Sequence, residues 1–267
     1  MVDESSWSGR VEGRRAARDV VKLAAFMDQR PGAGGSAPLL ALGVDNERYW
    51  VKLISNRQGP MVPVNEQIVG RCGDLIGAPT CRVQLVEIPE SLSGLTSGVM
   101  VGAGLAHGSL DVPDTINQRR LDHRYDDDNT RRHAGLFALH DWCWGADSQW
   151  LFSQSAEYQT YSHDHGYFFP GGPDWPADLG AVRAAVDHPH RLQDELPTAD
   201  PSGLHRDAVS DVAAALDSVT ADDLVEILTM IPPEWPVRDT DLEAIGFFLE
   251  RRAPQVAERM RSLAGGR

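Results

Sequence analysis

The run YWVKLI at residues 49–54, followed after a loop by VNEQIVGRCGDLIG at residues 64–77, decides how this chain is read. Side chains of an extended strand alternate between its faces, so Lys52 points the same way as Trp50 and Ile54. Both faces of the run are apolar, which leaves Lys52 at least half buried. The second run sets Ile68, Val69, Cys72, Leu75 and Ile76 at helical spacing. It stops at Gly77 with Pro79 just beyond, the usual chemistry of a helix end. Glu66 falls in its first turn. A strand that buries a lysine beside a helix that opens on a glutamate is the unit around which the rest is arranged.

Composition sharpens the interest in Lys52. Of 25 basic residues only Lys22 and Lys52 are lysines. A lysine kept in an apolar strand of a chain that otherwise uses arginine fits a task needing a compact ammonium. The 267 residues are 42% hydrophobic and 24% charged, enough for one large core or two modest ones. A formal charge of −14 sets the surface against nucleic acid and anionic membrane, so neither is an expected partner. The first twenty residues mix charges of both signs, no later run is long and apolar enough to cross a bilayer, and the three cysteines show no C-x-x-C spacing. A soluble, cytoplasmic chain is expected.

Outward from the lysine strand, residues 30–36 (RPGAGGS) form a glycine-rich turn that leads into the apolar run PLLALGV and the polar turn DNER. Apolar residues between 14 and 28 fall mostly at helical spacing, giving an opening helix or an extended arm. CRVQLVEI alternates as a further strand. The glycine-rich segment GVMVGAGLAHGSLDVP marks a junction, dividing the chain into a first lobe at residues 1–112 and a mostly helical second lobe at 113–267. In the second part Asp126, Asp127 and Asp128 read as a solvated loop, HAGLFALHDWCWG as a buried helix, and SQWLFS with YQTYSHDHGYFF as two short strands. Alternation along HDHG sends His163 and His165 to one side and Asp164 to the other. Thr220 with Asp223, and Thr240 with Glu243, are capping-box patterns on either side of a break at IPPEWP, and residues 188–203 form an exposed connection. The expected class is α+β: a small mixed β-sheet lobe with one main helix, then a mostly helical lobe.

In chain order the polar candidates are glycines 32, 34 and 35, Lys52, Glu66, and then Asp147 and Asp164 near the ends of short strands. That order matches phosphoryl transfer. The reaction needs backbone N–H groups and a cation for phosphates, a carboxylate to orient that cation, and oxygen ligands for magnesium beside an oriented nucleophile.

These stretches resemble the HipA-like kinases, a family with a two-lobed protein-kinase-like fold. GGSAPLLA is similar to that family's glycine-rich opening strand, YWVKL to its lysine strand and VNEQIVG to its glutamate helix. DWCWGADSQWLF stands where the family has its catalytic loop, HDHGYFF resembles its metal-binding strand end, and IPPEW and LERR resemble its helical tail. The resemblance implies ATP and Mg2+ as bound species, with Gly34, Gly35, Ser36, Lys52 and Glu66 on the nucleotide side. It also implies Asp164 and Gln149 as metal ligands, and Asp147 as the residue that orients or deprotonates an acceptor hydroxyl. The acceptor, protein or small molecule, is not specified by any residue.

The loop departs from the usual pattern. Kinases separate the catalytic aspartate from the metal-binding asparagine by four residues, whereas only Ser148 lies between Asp147 and Gln149. Asp141 is a substitute for the catalytic role. Two rival readings follow: a pseudokinase that binds nucleotide or a partner without transfer, and a metal-dependent phosphohydrolase using His133, His140, Asp141, His163, Asp164 and His165.

Overall fold

The computed structural model describes residues 3–27 and 37–265 of the chain. The first lobe is built on strands β1 (Val21–Phe26), β2 (Leu39–Gly43) and β3 (Arg48–Lys52), helix α1 (Val62–Ile76), then β4 (Val83–Ile88), β5 (Gly94–Thr96), β6 (Val99–Val101) and β7 (Gly104–Leu110). Five of these strands close into a barrel in the order β1-β2-β3-β7-β4. The β1–β4 pair is parallel and the others antiparallel, so the sheet is mixed as expected. The DNER turn between β2 and β3 is closed by Asn46 in the left-handed region (φ 66°), with Gly43 N–H donating to the Glu47 carbonyl at 2.9 Å. GLAHGSL, read as part of a junction, is the inner strand β7, and it sets His107 opposite Lys52.

Of residues 14–28, the described part, residues 14–27, contains no helix. Val21 pairs with Val86 and Leu23 with Gly43, so the segment is drawn out as β1, with Leu23 buried in the barrel. Sheet closure outweighs a weak helical spacing here, as tertiary context generally outweighs local propensity.

The second lobe comprises β8 (Thr115–Gln118), α2 (Asn129–Trp142), β9 (Gln149–Ser153) and β10 (Gln159–His163), then α3 (Leu179–Ala185), α4 (Leu192–Glu195), α5 (Arg206–Ser218), α6 (Ala221–Thr229) and α7 (Asp239–Gly265). Strands β8, β9 and β10 form a three-stranded antiparallel sheet with β9 in the centre. Thr220 and Asp223 make the capping box of α6 in both directions. The second expected box is different: Asp241 accepts from the Arg238 N–H at 3.2 Å, while Glu243 accepts from the Val11 N–H at 3.0 Å. The helix starts two residues earlier than the Thr240 pattern implies, which frees Glu243 for the N-terminal segment.

Two apolar clusters form. The barrel holds Leu23, Leu39, Val51, Val86 and Ile88, among others. A larger cluster runs from Val64 and Ile68 on α1, through α2, to Phe248 and Leu249 on α7, and takes in Trp7 and Val11. Helix α1 is therefore packed into the second lobe's core although it lies between strands of the first. A backbone tie reinforces this: Ser162 N–H donates to the Pro79 carbonyl at 2.8 Å, and Cys81 N–H to the Ser162 carbonyl at 3.2 Å. No helix among the described residues is long and apolar enough to cross a membrane.

Candidate active site between the lobes

Lys52 is the last residue of β3, and its ammonium stands between two carboxylates. It pairs with Glu66 Oε1 from α1 and, at 2.5 Å, with Asp164 Oδ1 from the segment after β10. Lys52 and Glu66 are buried, and Asp164 keeps 22% of its side chain exposed toward the cleft. Burial disfavours the charge on Lys52, but Glu66 and Asp164 outweigh it and raise its pKa. Burial likewise opposes the Glu66 carboxylate, but Lys52 and then His165 and His107 hold its pKa well below the usual carboxylate range. One cation facing two carboxylates leaves the cluster one negative charge in excess.

The turn that carries Asp164 is locally special. Asp164 takes a left-handed conformation (φ 58°), which aspartate tolerates better than most residues. Gly166 follows because a Cβ there would lie 2.7 Å from Val62 Cγ1, so only glycine lets the turn pack on the start of α1. Asn65 then fastens it, donating to the Gly166 carbonyl at 2.8 Å and the Phe168 carbonyl at 3.1 Å while accepting from Trp175 Nε1 at 2.8 Å. The left-handed residue breaks the alternation expected along HDHG. His163 lines the cleft together with Asp164, whereas His165 turns inward and bonds Ser162 Oγ at 2.8 Å. Burial pushes the His163 pKa down to about 4, so the ring is neutral near pH 7.

The cleft has a volume of about 410 Å³, within the range of small-molecule sites. Trp50, Leu110 and Leu151 supply apolar lining, and Lys52, Asp164 and Gln149 the polar end. Gln149 Nε2 donates to Asp164 Oδ2 at 3.0 Å. Asn117, at the end of β8, reaches Gln149 Oε1 at 3.5 Å. Asn117 was absent from the sequence candidates because it opens a charged stretch read as loop; the alternation of TINQ was its only signal. The oxygens of Asp164, Gln149 and Asn117 are hard donors, and with the excess negative charge they suit Mg2+.

Other candidates lie elsewhere. Asp147 sits in a left-handed turn before β9 (φ 54°), pairs with Arg119 at 2.7 Å, and is not among the residues that line the cleft. Asp141 lies away from the cleft: its carboxylate accepts from Arg252 at 2.9 Å and from Arg259 at 2.6 Å, and it borders a separate cavity of about 250 Å³ in the helical lobe. Gly32, Gly34, Gly35 and Ser36 lie outside the described residues. The phosphohydrolase ligands do not gather. His133 is buried against Thr160, His140 faces His190 and Glu195, and His163 with Asp164 stands in the cleft.

Among solved structures, the crystal structure of the Helicobacter pylori proinflammatory kinase CtkA aligns with a TM-score of 0.59 at 10% identity, covering 92% of this chain and 97% of that one. The Golgi casein kinase aligns with a TM-score of 0.40 at 11% identity over 100% of this chain and 77% of its own, and carries no argument. At such identities the likeness to CtkA shows the fold: a two-lobed protein-kinase-like fold, with a β-sheet lobe bearing one helix and a helical lobe after it. No protein-family model and no curated protein sequence matches the chain.

Proposed function

We propose that this chain is an ATP-dependent phosphotransferase, related to the HipA-like kinases, that moves the γ-phosphoryl group of ATP to a hydroxyl acceptor. The observation that carries the reading is the convergence of Lys52, Glu66 and Asp164 from the two lobes on one cleft. In this account the apolar lining at Trp50, Leu110 and Leu151 takes the base, and Lys52, held in place by Glu66, meets the phosphates. Asp164 and Gln149 would hold Mg2+ through carboxylate and amide oxygens, Gln149 turning its amide from its present hydrogen bond to do so. Bound there, Mg2+ neutralises charge on the phosphate oxygens. The acceptor oxygen bonds to the γ-phosphorus as the bond from that phosphorus to the bridging oxygen of ADP breaks. Asp147 takes the acceptor's proton.

One observation favours a second reading, a nucleotide-binding pseudokinase: Asp147 is engaged by Arg119 and stands off the cleft. Incubating the pure protein with γ-labelled ATP, Mg2+ and a panel of protein and small-alcohol acceptors separates the two. Label transfer lost in Asp164→Asn supports the kinase; Mg2+-dependent nucleotide binding with no label transfer supports the pseudokinase.

A further inference from the structure

The helical lobe holds a second polar cluster that the cleft does not use. His140 on α2, His190 in the connection after α3, and Glu195 at the end of α4 bring one ligand atom each to within 4.8 Å of one another. His140 Nε2 is 3.4 Å from Glu195 Oε2, and His190 Nε2 is 3.0 Å from Glu195 Oε1. Two ligands on one tetrahedral zinc ion are about 3.3 Å apart, given bonds of roughly 2.0 Å.

Donor and acceptor counting shows what is missing at this point. His140 Nδ1 faces the His190 carbonyl at 3.4 Å. His140 Nε2 is turned toward the Glu195 carboxylate and is buried without a hydrogen-bond partner. His190 Nε2 can offer one hydrogen, but it faces both the Gly145 carbonyl at 2.6 Å and Glu195 Oε1. One nitrogen of each imidazole and both Glu195 oxygens thus converge on one point.

The surroundings hold these groups in place. The two imidazoles stack at 5.1 Å, Trp144 stacks on His190 at 4.3 Å, and Arg252 lies over Trp144. The His190 N–H donates to Asp141 Oδ1 at 3.1 Å, and Asp141 is itself gripped by Arg252 and Arg259. A histidine whose second nitrogen is oriented by a backbone carbonyl is the usual outer support of a metal ligand. His140 is 1% exposed while the Glu195 side chain is 37% exposed, which gives an ion a route in from solvent.

We propose that His140, His190 and Glu195 form a binding site for a divalent transition metal, Zn2+ foremost, that pins the connection between α3 and α4 to α2. Mixed imidazole and carboxylate ligands suit Zn2+ rather than Mg2+, so this site is distinct in chemistry from the cleft. It stands independently of the kinase reading.

The test uses the full chain, purified without a histidine tag or chelator. Metal content is measured, then Zn2+ and Co2+ are titrated against a competing chelator dye, with unfolding temperature read in parallel. The expected result is one Zn2+ per chain, visible Co2+ absorption of a low-symmetry site, and a fall in unfolding temperature on adding a chelator. Glu195→Ala and, as a second variant, His190→Gln should each weaken Zn2+ binding by at least about 100-fold, while Asp164→Asn leaves it unchanged. Glu195 is exposed enough that its loss leaves the fold intact by circular dichroism. Absence of Zn2+ and Co2+ binding by the wild-type chain, or wild-type affinity in both variants, overturns the proposal. So does a metal-free chain in which His140 is an imidazolium by NMR and Zn2+ does not displace its proton.

Discussion

Glu66 and His165, one from each lobe, stand side by side at 2% exposure, with His165 Nδ1 3.6 Å from Glu66 Oε2. The glutamate that pairs with Lys52 is thereby tied to the residue that follows Asp164. Because Asn65 grips the same turn, helix α1 and the Asp164 segment move as one body. Removing one member of a buried pair strands the other, so Glu66→Ala should destabilise the chain by about 3 kcal/mol. His165→Ala removes the hydrogen-bond partner of Ser162 Oγ and should cost about 1–2 kcal/mol. Urea unfolding of both variants measures the order; equal and negligible costs would contradict it.

Stability should fall in mild acid. Burial holds the pKa of His107 and His133 down to about 3 and that of His163 to about 4. Unfolded histidines titrate near pH 6.5, so between that value and about pH 4 the unfolded chain binds more protons than the folded one, and stability rises with pH. As pH drops from about 6.5 to 4, each such histidine removes up to about 1.4 kcal/mol per pH unit. His133→Gln should lower that slope by one proton's worth in chemical denaturation at a series of pH values. An unchanged slope would show that His133 titrates in the fold.

The N-terminal segment is expected to be structural. Trp7 is buried in the larger cluster and donates to Glu250 Oε2 at 2.7 Å. Trp7→Ala should cost about 3–4 kcal/mol, while nucleotide binding by the remaining folded protein stays as in the wild type. Thermal unfolding and ligand titration on the same sample check both halves.

Much of this was written in the local sequence, and the parts that were not depend on distant partners. Helix α1 is announced by its periodicity and ends where Gly77 turns left-handed (φ 68°). The hairpin at DNER and the Thr220 cap are equally local. Strand β1 was not legible, because its partners Val86 and Gly43 are what extend it. Alternation fails at HDHG because a single left-handed residue, Asp164, parts His163, which lines the cleft, from His165, which turns inward. Asp141 is a catalytic candidate in the sequence because it lies only six residues before Asp147. Its arginine partners, Arg252 and Arg259, come from a helix more than a hundred residues away.

Asp141 and Asp164 should therefore behave differently. Asp141→Ala leaves the buried Arg252 uncompensated and should lose about 3 kcal/mol of stability. Its affinity for nucleotide should be unchanged in whatever fraction is folded. Asp164→Asn should show the reverse pattern. Paired denaturation and binding curves would refute the assignment if the two variants responded alike.

The central claim is that Lys52 and Asp164 together form one nucleotide site that uses magnesium. Calorimetric titration of a non-hydrolysable ATP analogue, with and without Mg2+, into wild type, Lys52→Ala and Asp164→Asn tests it most directly. The expected result is Mg2+-dependent binding in the wild type, weakened at least tenfold, or about 1.4 kcal/mol, in either variant, with the Mg2+ dependence lost in Asp164→Asn. Equal affinity in all three proteins, or binding indifferent to Mg2+ in the wild type, would contradict it.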